Sequence, residues 1–158
     1  MIAPVSPPAT YQQWMDALAY LKERPMDSAS LRLVSRGTLC GPCSPLMVSR
    51  ISDAVSDLLT GQFRDLLRQV DLSLAEGDVE RLRLTVLRFR GRVNACLFYR
   101  ELDFLAATDR EQLEEGFCRQ IRDFWQDLLS QMARSAKQSS SPMLEESLYL
   151  LRKIKILT

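Results

Sequence analysis

Residues 78–102, DVERLRLTVLRFRGRVNACLFYREL, carry two apolar stripes where an ordinary surface helix carries one. On a helix that turns about 100° per residue, both stripes recur at i+3 and i+4 steps. The first consists of Val79, Leu82, Val86, Phe89, Val93 and Leu97. The second consists of Leu84, Leu87, Gly91, Ala95, Phe98 and Leu102. A helix that is apolar on two sides must be covered on both, so the sequence predicts a central helix over 78–102.

The segments on either side of this stretch have helical periodicity and recognisable helix starts. Thr10 and Gln13 have the spacing of a capping box, and Ser44-Pro45 places an N-cap residue before a proline. We therefore predict an all-α fold, a compact bundle or orthogonal array of about five helices around the central helix. Alternating apolar residues near 31–34, 81–84 and 153–157 leave an α+β fold as the alternative.

The length of 158 residues is typical of a single domain, so we predict one helical domain over 1–158. The proline-rich residues 1–9 are expected to be a flexible N-terminus. Residues 133–141, ARSAKQSSS, are of low complexity and are expected to form a linker before the last helix.

Composition argues against most catalytic mechanisms. The chain contains no histidine, which removes Ser-His-Asp and Cys-His nucleophiles, histidine metal ligands and the usual general base near neutral pH. We expect no enzymatic activity, no cofactor and no metal. The start of the chain lacks a secretory signal, and no apolar run approaches the roughly 20 residues that cross a bilayer. With its four cysteines reduced, the protein is expected in the cytoplasm and away from membranes.

The tetrapeptide Cys40-Gly41-Pro42-Cys43 resembles the redox motif of the thioredoxin family. The resemblance implies a thiolate stabilised at a helix N-terminus and a second, resolving thiol. It covers only these four residues, and Leu39 stands where that family has a tryptophan. The same pair has the spacing of two zinc ligands, but Cys96 and Cys118 stand singly in the sequence and do not form a second C-x-x-C pair. Thiol redox or zinc chemistry at Cys40 and Cys43 is therefore one alternative function.

A second alternative is nucleic-acid binding by the arginine-rich helix over 81–92. Its arginines fall into two rows separated by the apolar stripes, so they would not all face one phosphate backbone. The net charge of the chain is only +1, so we expect no general electrostatic attraction to nucleic acid.

The function that the sequence favours is a non-enzymatic protein–protein interaction module. A small cytosolic bacterial adaptor, chaperone or regulator would have this size and class. The expected partner is another protein, such as one that presents a helical segment, and a homodimer is the expected assembly. The predicted partner-binding residues are those of the second stripe, Leu84, Leu87, Gly91, Ala95, Phe98 and Leu102.

Overall fold

The computed structural model describes residues 1–157, apart from the side chain of Val79. Its regular elements within that range are six α-helices and one 3-10 helix. In chain order the α-helices are α1 (Tyr11–Glu23), α2 (Ser28–Val34), α3 (Pro45–Glu76), α4 (Val79–Cys96), α5 (Ala107–Ser139) and α6 (Pro142–Arg152). The 3-10 helix, Leu97–Glu101, follows α4 directly.

Side chains in the residues that precede the helices satisfy backbone groups at the helix starts. The predicted capping box is present at α1, where the Thr10 hydroxyl accepts from the Gln13 backbone and the Gln13 side chain accepts from the Thr10 backbone. At α4 the Asp78 carboxylate accepts from the Arg81 backbone N–H at 3.1 Å. The turn before it uses Gly77, whose φ of 68° lies in the left-handed region that glycine adopts without strain.

The chain divides into two compact units, and the first comprises Met1–Asp65 and Ala95–Phe117. Its core includes Trp14, which is fully buried. The Trp14 indole N–H donates to the Thr38 carbonyl at 2.6 Å, and the ring meets Phe104 edge-on at a centroid distance of 5.3 Å. Other buried side chains of this unit are Leu18, Leu21, Leu31, Val34, Ile51, Val55, Leu58, Tyr99 and Leu102.

The second unit comprises Leu66–Asn94 and Cys118–Thr158. In its described part the aromatic rings of Phe89 in α4 and Phe124 in α5 stack with centroids 5.4 Å apart. The Ser73 and Thr85 hydroxyls join α3 to α4 by a hydrogen bond of 2.8 Å. Buried apolar residues of this unit include Leu66, Val70, Leu82, Val86, Val93, Cys118, Ile121, Leu128, Leu148 and Leu151.

The predicted all-α class is confirmed, and residues 1–157 contain no β-strand. Two of the three stretches of the α+β alternative are helical: residues 31–34 belong to α2, and 81–84 belong to α4. Residues 153–157 are irregular after the end of α6.

The prediction of one continuous helix over 78–102, covered on both sides, is wrong. The α-helix ends at Cys96, and the chain tightens into the 3-10 helix, in which Leu97, Phe98 and Tyr99 are all buried. Three consecutive buried residues do not suit an α-helix with one covered face, where successive side chains point about 100° apart. In α4 itself only the first stripe is covered, since Leu82, Val86, Phe89 and Val93 are buried. The Val79 side chain, also predicted in that stripe, lies outside the described residues.

The predicted linker over 133–141 is also wrong for most of its length, because α5 continues to Ser139. Leu128, Met132 and Ala136 are buried at i+4 steps, so the apolar stripe of α5 extends into the low-complexity segment. Only Ser140 and Ser141 lie between α5 and α6, and Ser140 has a φ of 48°.

Residues 1–9 are irregular, as expected of the N-terminus, but the end of this segment is hydrogen-bonded. The Pro8 carbonyl accepts from the Thr38 N–H at 2.9 Å, and the Ala9 carbonyl accepts from the Cys40 N–H at 2.8 Å. The flexibility of residues 1–9 and the single domain over 1–158 stay predictions.

Candidate functional site

The second stripe of α4 is open to solvent, although the sequence predicts that it is covered. Leu84 is 46% exposed and Leu87 is 38% exposed. Gly91 and Ala95, which follow at i+4 steps, are exposed too. Arg88 is exposed beside these residues. We call Leu84, Leu87, Arg88 and Gly91, which all belong to the second unit, the α4 face; it is an apolar strip with a cation at its border.

Gly91 has no packing role within the described chain. A Cβ atom placed on it would meet no atom within 4 Å. Glycine in the middle of a helix costs roughly 0.5–1 kcal/mol relative to alanine. The α4 face therefore lacks a side chain at Gly91, and no contact among the described residues requires a glycine there.

A groove runs along one border of the α4 face, between the last turns of α3 and the first half of α4. Its volume is about 410 Å³. The lining residues are Gln69, Leu72, Ser73 and Glu76 of α3 and Arg81, Leu84, Thr85 and Arg88 of α4. Leu72 is exposed, so the groove adds apolar surface next to Leu84. All eight residues belong to the second unit.

The arginines of α4 differ in their surroundings. Arg81 forms an ion pair with Glu76 at 2.9 Å, and Arg83 forms one with Glu80 at 3.1 Å. Arg92 is buried. Among the residues that the structure describes, Arg88 has no ion pair. Its guanidinium is thus an exposed cation of α4 that no carboxylate of the described residues neutralises.

Four of the six predicted partner-binding residues are accessible, and two are not. Leu84, Leu87, Gly91 and Ala95 lie on the exposed side of α4. Phe98 and Leu102 are only 5% and 1% exposed, so they cannot contact a partner. The reason is the change of winding after Cys96, which takes both side chains off the stripe that a continuous α-helix would give them.

Sequence reasoning missed Leu72, which extends the apolar surface onto α3. The spacing of residues in α3 contained a signal for this. Leu66, Val70 and Ser73 recur at i+4 and i+3 steps, and this stripe is buried. Leu72 lies off that stripe, one residue before Ser73. A leucine outside the covered stripe of an amphipathic helix is expected to be exposed.

The predicted redox tetrapeptide lies in the loop before α3. Cys40 is exposed, Cys43 is half-buried and both are free thiols. The N-cap residue of α3 is Ser44, whose hydroxyl accepts a hydrogen bond from the Met47 N–H at 3.2 Å. Neither cysteine therefore occupies the N-cap, where a helix N-terminus would stabilise a thiolate.

The other two cysteines, Cys96 and Cys118, form no disulfide and are fully buried, in contrast to the pair in the loop. Within the described part of the chain no group of three or more cysteine, aspartate or glutamate side chains could hold a metal ion.

Comparison with known proteins supplies no family for the chain: no family model matches it, and no curated protein or solved structure shows significant similarity. None of the helices in the described residues is long and apolar enough to cross a bilayer.

Proposed function

We propose that this protein is a non-enzymatic interaction module that binds a protein partner through the α4 face and the adjoining groove. The observation that carries the proposal is the exposure of Leu84 and Leu87 on a helix whose opposite side is buried. Together with Leu72 they place three leucines on one surface beside a groove. Contiguous exposed apolar surface of this kind is characteristic of interaction sites.

The shape of this surface favours a helical segment of the partner. A helix that lies in a groove contributes side chains at i, i+3, i+4 and i+7 steps, which suits a groove lined by two helices. Gly91, which has no side chain, leaves room for close approach of a second backbone at the α4 face. In this proposal the protein serves as a cytosolic adaptor, chaperone or regulator, a role that suits its size and helical class.

The surroundings of the α4 arginines support a protein partner over nucleic acid. Two of them are engaged by glutamates, and Arg92 is buried. A surface that binds a phosphate backbone needs several accessible cations on one side of the molecule.

Affinity purification from the native host with quantitative mass spectrometry tests the proposal. We expect Leu84→Gln and Leu87→Gln, made together, to abolish recovery of the partner. Leu46→Gln is the matched control, because Leu46 is also exposed but lies at the start of α3. Far-UV circular dichroism of all variants verifies that they fold. Partner recovery that is equal for the α4 variant and the control would contradict the proposal.

A further inference from the structure

We infer that the segment bound at the α4 face is an amphipathic helix of another protein with carboxylates along one border of its apolar stripe. This inference rests on the proposed function and specifies its partner. It follows from the position of Arg88, which is exposed on the same side of α4 as Leu84 and Leu87 and also lines the groove.

Burial of the two leucines would remove water from Arg88 as well. Arg88 follows Leu87 directly and lies one helical turn after Leu84. A guanidinium that loses water without gaining an anion destabilises a complex, whereas a carboxylate in hydrogen-bonding reach offsets that loss. A partner that covers these leucines well therefore needs an Asp or Glu opposite Arg88.

No carboxylate of the described residues forms an ion pair with Arg88. Glu76, which lines the groove, and Glu80 of α4 form ion pairs with Arg81 and Arg83. The α4 face is thus apolar with one exposed cation at its border, and its complement is an apolar stripe with an acidic border.

A second copy of the chain fits this surface less well. In a two-fold pairing one patch meets itself, so a dimer that covers Leu87 and Gly91 brings the two Arg88 side chains together. Like charges opposite one another at an interface oppose association. An acidic helix avoids this repulsion and gains the ion pair.

The test is a selection from a display library of helix-forming peptides that have a fixed leucine stripe and randomised border positions. The target is the full chain, and binding peptides are measured by fluorescence anisotropy. We expect recovered peptides to be enriched in Asp and Glu at one border. Their affinity should fall at least about tenfold for Arg88→Gln and be largely retained for Arg88→Lys. It should be lost for Leu84→Gln, and added salt should weaken binding to wild type more than to Arg88→Gln.

The other outcomes separate this inference from the proposed function. Recovered peptides that depend on Leu84 but have neutral or basic borders would overturn the inference and leave the proposed function standing. A wild-type dimer in sedimentation that Leu84→Gln dissociates would do the same, because the occupant would be a second copy. A monomeric wild type, from which no peptide dependent on Leu84 is recovered, would overturn both.

Discussion

The two sides of α4 should differ sharply in their contribution to stability, and alanine substitutions measure the difference. Phe89 is 2% exposed and stacks on Phe124, so Phe89→Ala removes a fully packed ring. Such a change costs about 3–5 kcal/mol of unfolding free energy. Leu84 is 46% exposed, and complete burial of a leucine contributes about 1.5–3 kcal/mol. We therefore expect Leu84→Ala to cost only about 1 kcal/mol.

Urea unfolding of the purified protein gives these free energies, with far-UV circular dichroism and tryptophan fluorescence recorded on the same samples. Coincident transitions are needed because the chain forms two compact units. Phe98→Ala is the informative third variant: the sequence assigns Phe98 to the same stripe as Leu84, but it is buried. It should resemble Phe89→Ala. If Leu84→Ala lowers the unfolding free energy as much as Phe89→Ala does, the exposure of the α4 face and both proposals built on it are refuted.

Four further outcomes follow from other residues. Gly91→Ala should raise the unfolding free energy by roughly 0.5–1 kcal/mol in thermal or urea melts, since the new methyl group meets no atom. Gly37→Ala should lower it, because a Cβ there would overlap the ring of the buried Trp14. The pKa of Asp27 is held below its ordinary value by hydrogen bonds from the Ser30 backbone and hydroxyl and from a tyrosine hydroxyl. Its contribution to stability is complete above the unfolded pKa of about 3.9 and is lost as the pH falls through the lower folded value. When the unfolding free energy is measured as a function of pH, it should therefore fall more steeply below about pH 3.9 for wild type than for Asp27→Asn. In native protein, a thiol reagent should label Cys40 and Cys43 rapidly and the two buried cysteines only after denaturation.

Local patterns in the sequence were sufficient for the all-helical class and for much of the core. The capping box at Thr10 joins residues a few positions apart, and the apolar spacing of Leu82, Val86, Phe89 and Val93 follows the helix period. These contacts are readable because helix periodicity and end capping are local properties.

Which of the two stripes on α4 is covered depends on the tertiary structure. The sequence makes both apolar, and only the packing shows that the first stripe is buried while Leu84 and Leu87 stay exposed. The end of α4 at Cys96 and the length of α5 have the same origin. Burial of Leu97, Phe98 and Tyr99 accompanies the 3-10 winding after α4, and the buried Met132 and Ala136 continue α5 where low complexity suggested a linker.

The candidate site was partly visible in the sequence and partly not. Leu84, Leu87, Gly91 and Ala95 form a regular pattern on one helix. The groove depends on α3 and α4 lying side by side, with Ser73 hydrogen-bonded to Thr85 twelve positions later. The availability of Arg88 depends on which arginines meet glutamates. The Ser73–Thr85 hydrogen bond and the Arg81–Glu76 ion pair join different helices and have no periodic signature, so only the folded chain decides them.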